Sequence, residues 1–467
     1  MTYCLIETLT AYESCLLSLQ TYSTLAVDLE TYVLPAHRGL KATALDPHVS
    51  SISTIQMLGV ETEPSPLEGE PPPSKEKTPK GLTTYILDLI ALEKEGYAKE
   101  SLLDFLKSKE TLIAHNATFE IKFLRKYLGE TLTNFWCTKV ASTLISNAFG
   151  NQFYRTISSH SLASLCKDYL NVTLTGKGKV QQEDWSTRPL RLEQLEYASR
   201  DVIYLPQLKA IFEATLYPDL PDPDTYRKGD VWGLGMRYIT DLEMRFLAPA
   251  AEGEYNGFPF NKQGMMRLEQ TVQDDELRTG EIYKLSGELA QALGLSYEYS
   301  LAGEPYPIAT PKSRTALNSP IFIQKVVKEH LNLDLASSES RILARIIELL
   351  DQIQGNDDPE YSSEEEELVY LELAQLEKLE LQQKGDLLKN ILLYKRLAKM
   401  ISMKLTACAH PLTGRIHYSL NTVGAATGRT TSARPNSQNI NGNIYIKIVY
   451  LSLLEALSGD CVRATDL

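Results

Sequence analysis

No stretch of the 467-residue chain approaches the ~18 consecutive apolar residues of a membrane-spanning helix, so no crossing is expected. A secretory signal is not expected either. Met1 to Leu19 sets Glu7 and Glu13 among its apolar residues and has neither a basic lead nor a cleavage signature. Cysteine is sparse and scattered: Cys4, Cys15, Cys137, Cys166, Cys408 and Cys461 form no C-x-x-C pair. That argues against a zinc site or a disulfide framework and fits reduced thiols in a cytoplasmic protein. Internal repeats are absent. What is present is an ordinary globular composition, 43% apolar and 23% charged, which excludes a wholly disordered chain. The length suits roughly two to four domains.

The net charge of −13 taken alone argues against nucleic-acid binding. Its distribution is uneven. Residues 351–380 carry eleven acids and one base, whereas residues 381–450 carry ten bases and one acid. A basic segment of that density is either a solvated face or a dock for a phosphate backbone, and the motifs inside it decide between the two.

Five strands are predicted: Thr24 to Glu30, Ser51 to Val60, Thr84 to Leu89, Thr111 to His115 and Phe135 to Thr138. Helices are expected at 99–108, 117–127, 139–147, 161–169 and 192–216. The order implies a mixed α/β sheet with helices packed on it. Residues 61–81, rich in Pro, Glu and Lys, form an excursion between two strands. The prolines Pro218, Pro221 and Pro223 mark a linker at 217–230. Beyond it the chain is mostly helical to Met403, with a break near 305–320 and an acidic loop at 355–367.

Chemistry enters with the carboxylates. Asp28 and Glu30 close the first strand and, two apart, point to one face. Paired acids repel unless a cation neutralises them, and hard oxygen ligands favour Mg²⁺ or Mn²⁺. The pair alone is weak evidence. His115, Asn116 and Glu120 follow at a strand-to-helix junction, where His115 by itself is more often a core or capping histidine than a ligand. Tyr197 and Asp201, at i and i+4, share a helix face, though Tyr197 alone could simply pack against the core. Together Asp28, Glu30, Glu120 and Asp201 can hold two metals. Tyr197 would orient an attacking water, since a phenol hydrogen-bonds well at neutral pH but is a poor base.

The stretches LAVDLET, AHNATFEIKFL and YASRDVIYL, in that order, resemble the DEDDy 3′–5′ exonucleases of the RNase H-like superfamily. The resemblance covers about the first 215 residues. Residues 184–190 also look like a segment that precedes the third motif in ribonuclease D and polymerase I proofreading domains. One departure stands out: the family usually has Asp where this chain has Glu120, a change that shifts the oxygens by about one methylene. The resemblance implies an α/β RNase H-like domain over 1–216 and DNA contacts from His115, Asn116, Phe119 and Arg188.

The rest of the chain resembles the opening of the polymerase region of family A DNA polymerases. The carriers are residues 241–261, Leu393 to Lys399, Thr413-Gly414-Arg415, Ala426 to Ser432 and Arg434 to Ile440. By this resemblance 231–403 is a mainly α thumb, and 404–443 starts an incomplete α+β palm. The tail 444–467 diverges. Arg429 would pair with a phosphate, while Asn436, Gln438 and Asn439 offer amides to phosphates or base edges.

The catalytic carboxylates of the family palm have no match, so the chain is not expected to polymerise DNA by itself. The unpaired edges of a partial palm predict poor order from Arg415 onward. The resemblance therefore implies a metal-dependent proofreading exonuclease acting on single-stranded DNA 3′-ends and primer-template duplex, a bacterial monomer associated with the nucleoid. Two alternatives stand beside it: a ribonuclease D-like RNA 3′-exonuclease, and a non-catalytic primer-template binding fragment with Glu120 as its lesion.

Overall fold

The structure, a computed structural model, describes residues 2–40, 43–61, 82–153, 159–174, 180–217, 230–274, 278–300, 305–331, 340–355, 369, 378–425 and 427–437. The excursion at 62–81, the linker at 218–229, most of the acidic loop, Gln438, Asn439 and the tail 444–467 lie outside these residues.

The apolar run Thr24 to Val27 builds a strand covered on both faces, as expected of a central strand. Around it the strands β1 (Thr2–Ile6), β2 (Thr24–Val33), β3 (Ser50–Val60), β4 (Thr83–Asp88), β5 (Thr111–Ala114) and β6 (Phe135–Cys137) form one mixed sheet. The order is β1-β4-β3-β2-β5-β6. Six strands replace the expected five. The addition, β1, is a five-residue edge strand parallel to β4, too short to register in the sequence.

Helices α1 (Leu9–Gln20), α2 (Leu89–Glu95), α3 (Lys99–Lys107), α4 (Thr118–Leu128), α5 (Thr138–Phe153), α6 (Leu162–Leu170), α7 (Leu192–Ile203) and α8 (Leu205–Leu216) accompany the sheet. α1 and α2 were not foreseen. The single helix expected over 192–216 is two. Pro206 lies in the first turn of α8 and lacks the N–H that would bond back across Tyr204.

Lys109 closes α1 from a distance. Its buried ammonium donates to the carbonyls of Leu19 at 2.9 Å, Gln20 at 3.3 Å and Tyr22 at 2.9 Å, at and just past the helix end. Lys109→Met should therefore cost about 2 kcal/mol, the scale of lost bonds to a charged donor. Urea unfolding would measure it.

The chain divides into two compact units. The first comprises the described parts of Met1–Phe258 and His410–Asn439, and the second those of Pro259–Ala409. α9 (Asp230–Asn256) thus groups with the first unit. It packs against α4, α5, α8 and β6.

The second unit holds α10 (Lys262–Val272), α11 (Glu281–Ala292), β7 (Tyr297–Tyr299), β8 (Pro307–Ala309), α12 (Pro311–Leu317), α13 (Pro320–Leu331), α14 (Ser340–Gly355), α15 (Lys378–Ser402) and α16 (Leu405–Cys408). α14 packs on α15, and α11 on the β7–β8 hairpin. Gly287 makes that second contact possible, since a Cβ there would meet Pro307 O at 1.8 Å.

The chain then returns to the first unit with β9 (Ser419–Asn421) and β10 (Thr431–Ala433), an antiparallel pair. Residues 415–437, for which the unpaired palm edges predict poor order, make contacts within the first unit. Arg415 donates from Nε to Asn256 O at 2.6 Å and from Nη2 to Gly257 O at 3.0 Å, and Ile416 bridges Phe258. Leu420 N donates to Glu254 Oε1 at 2.6 Å. The same buried Glu254 takes Lys122 of α4 as its ion-pair partner.

Three imidazoles complete this attachment. The His48 ring lies 4.2 Å from His417, 5.3 Å from His410 and 4.6 Å from Tyr255. His417 Nδ1 donates to Glu254 O at 3.0 Å, and in the neutral ring its Nε2, 2.8 Å from Thr413 Oγ1, accepts from that hydroxyl. Burial, then the neighbouring His417, lowers the His48 pKa from 6.5 to about 4; burial also lowers that of His417. Asp46, Lys126, Arg125 and Arg415 are the charged groups around them.

A histidine depressed on folding takes up protons more readily in the unfolded chain. Its contribution to stability is full above about 6.5 and fades as pH falls toward about 4. The thermal midpoint of the wild type should drop more between pH 7.5 and 4.5 than that of His48→Gln. Equal drops would show that the cluster is not the pH-sensitive element.

Candidate active site

Parallel β2, β5 and β6 end at the same edge of the sheet, the customary place for a ligand site in an open α/β fold. β2 delivers Asp28, opposite Gln56, and Glu30, opposite Thr54. The register shifts immediately after Glu30, so the strand bends where its acids end. α7 packs over β2 and brings Asp201 to them. One carboxylate oxygen from each of Asp28, Glu30 and Asp201 lies within 4.8 Å of the other two.

Glu120 stands apart from that trio but within reach of its field. It is 2% exposed, and burial together with the Asp28 charge pushes its pKa well above the usual carboxylate range. Its Oε2 has no hydrogen-bond partner. A buried carboxylate oxygen without a donor, beside three converging acids, suits a hard divalent cation. The four acids form a candidate site for such ions.

Tyr197 stands one turn before Asp201 on α7, close to its carboxylate. Burial, then the charges of Asp201, Glu30 and Asp28, raises its pKa, so the phenol keeps its proton. Its ring sits 6.3 Å from that of Trp185, which is buried.

The second motif arranges its polar residues around the start of α5. His115 Nδ1 lies 2.9 Å from Thr138 Oγ1, and Asn116, at φ 69°, accepts from Lys139 Nζ at 3.0 Å. Phe119 is half-buried against Phe123, ring centroids 4.8 Å apart. Lys139 went unnoticed in the sequence; its place two residues after β6, beside the second motif, was the available signal.

Arg188 is engaged within the protein. Its Nε donates to Asp88, Nη1 to Trp185 O and Thr187 O, and Nη2 to Ser53 Oγ and Asp88 Oδ1. All five guanidinium hydrogens have acceptors, which leaves none for a phosphate. Arg188 pins the 184–190 segment, and with it Trp185, to the sheet.

Arg429 and Asn436 are exposed in the β9–β10 region, with Asn436 Oδ1 accepting from Ser432 Oγ at 3.0 Å. Gln438 and Asn439 lie outside the described residues. Among the described residues, no helix is long and apolar enough to cross a membrane.

Residues 77–216 match the 3′-5′ exonuclease family and residues 315–450 match DNA polymerase family A. The first match includes Glu120, Tyr197 and Asp201 and begins after Asp28 and Glu30. The chain thus carries a 3′–5′ exonuclease domain joined to a family A polymerase segment.

More narrowly, it is DNA polymerase I-like. It is similar to DNA polymerase I of Aquifex aeolicus, 23% identical over 370 residues, 77% of this chain and 50% of that protein. It is also similar to DNA polymerase I of Borreliella burgdorferi, 23% identical over 447 residues, 90% and 40% respectively. The chain therefore spans half or less of the length of these relatives. Among solved structures, Brucella melitensis NrnC with bound Mg²⁺ is 22% identical, with 55% of this chain and 95% of that one covered and a TM-score of 0.35.

Proposed function

We propose that the chain is a metal-dependent 3′–5′ exonuclease that removes nucleoside 5′-monophosphates from single-stranded or frayed DNA 3′-ends. The convergence of Asp28, Glu30 and Asp201 carries this reading. Asp28, Glu30, Glu120 and Asp201 would hold two divalent ions, Mg²⁺ or Mn²⁺. Bound there, such ions supply an acidified water and offset charge that develops on the leaving 3′-oxygen.

The protein's own groups do the rest. Tyr197 lies one turn from Asp201, and its phenol oxygen can accept a hydrogen bond. An attacking water can donate to it and be aimed at phosphorus, while the phenol, protonated at neutral pH, takes no proton itself. His115 and Asn116 line the same edge of the sheet and would hold the strand end. Arg429 and Asn436 are the exposed groups suited to duplex contacts. Such an enzyme would work as a monomer at the bacterial chromosome.

The test is direct. Purified protein with Mg²⁺ or Mn²⁺ should shorten a 5′-labelled oligodeoxynucleotide from its 3′-end, release mononucleotides, and stop on chelation. Faster hydrolysis of the matched RNA would move the substrate to RNA. Inertness toward every 3′-end by folded, metal-supplied protein would refute the proposal.

A further inference from the structure

The contacts between the second motif and α5 are not used by the carboxylate chemistry. Ala114 pairs with Cys137, which sets the first two residues of α5 beside His115 and Asn116. Thr138 Oγ1 donates to Ala114 O at 3.3 Å and so accepts from His115 Nδ1 at 2.9 Å. Lys139 Nζ donates to Asn116 Oδ1 at 3.0 Å. Two successive helix residues thereby orient two successive motif residues.

The second contact has a chemical consequence. An asparagine amide has an accepting end and a donating end, and an ammonium can only donate. Lys139 therefore takes the carbonyl end and turns the two N–H groups away from itself. Asn116 sits in the left-handed region at φ 69°, a conformation asparagine tolerates better than most residues, so its backbone is held while the amide is set by its neighbour. Phosphate and sugar oxygens along a strand end accept hydrogen bonds. An amide shown donor-first attracts them, and one shown carbonyl-first repels them.

Resting on the exonuclease reading, we propose that Lys139 is a positioning residue that holds the Asn116 amide donor-first toward the phosphates of the 3′-terminal strand. Lys139→Met keeps the side-chain length and loses the donor, so the amide is released to turn. Lys139→Arg keeps a donor within reach. Asn116→Ala removes the group on which the lysine acts.

A binding cycle tests this. Affinity for a fluorescein-labelled single-stranded oligodeoxynucleotide is measured in chelator, and hydrolysis in Mg²⁺, for the wild type, the three single variants and the Lys139→Met, Asn116→Ala double variant. Each of Lys139→Met and Asn116→Ala should weaken binding about tenfold and raise KM more than it lowers kcat. Lys139→Arg should stay within about threefold of the wild type. The double variant should be no worse than Asn116→Ala alone, as expected of two residues acting as one unit.

Losses that multiply to about a hundredfold would overturn the proposal, because Lys139 would then act independently of Asn116. Lys139→Met binding like the wild type, or a wild type that binds no oligonucleotide, would overturn it too. The expected binding pattern without any hydrolysis would support the positioning role and refute the exonuclease reading separately.

Discussion

Asp28→Ala is expected to lower kcat for 3′-end hydrolysis by about 10³-fold or more, equivalent to about 4 kcal/mol of barrier, with little change in the fold. Asp28 belongs to the trio of converging carboxylates, and its charge also bears on the buried Glu120. Removing it takes a ligand from the candidate cation site and relaxes the repulsion within it. The two effects have opposite signs in two measurements. Activity should collapse, while the thermal midpoint in chelator should hold or rise, because one like charge has left a crowded, buried site. Mg²⁺ or Mn²⁺ should raise the midpoint of the wild type by binding the folded state, and should do so far less for the variant. A variant that keeps activity within tenfold of the wild type would place the chemistry elsewhere.

The legibility of this site in the sequence followed its periodicity. Asp28 and Glu30 sit two apart on a strand, Tyr197 and Asp201 four apart on a helix, and both spacings translate directly into shared faces. Their convergence was not a local property. It needed the sheet order and the packing of α7 on β2, which the motif order suggested only through resemblance.

What escaped was non-local or too short to register. β1 is an edge strand of five residues and gains its partner, β4, from nearly eighty residues away. The break at Tyr204 needed more weight on one proline. The assignment of α9 and residues 410–437 to the first unit depends on contacts such as Glu254 with Lys122 and Leu420, and on the histidine stack, none of which has a sequence period. Phosphate-binding arginines are likewise chosen by what else is nearby. Arg188 looked suited to DNA until Asp88, a hundred residues earlier in the chain, was found beneath it.

That ion pair yields the second large effect. Arg188→Met should destabilise the protein by about 3–5 kcal/mol, because it leaves a fully buried carboxylate without its counter-ion. Asp88 also caps α2, its Oδ1 accepting from Ala91 N at 3.0 Å. Asparagine retains that capping oxygen without the charge. Adding Asp88→Asn to Arg188→Met should therefore recover most of the loss, whereas Asp88→Asn alone should remain destabilising. Urea denaturation of the four proteins separates these outcomes. The same series distinguishes a structural pin from a phosphate ligand: under conditions where the double variant is folded, its KM for a single-stranded 3′-end should match that of the wild type. If KM instead rises tenfold while stability is restored, the guanidinium leaves Asp88 when substrate arrives, and the role expected from the sequence would be reinstated.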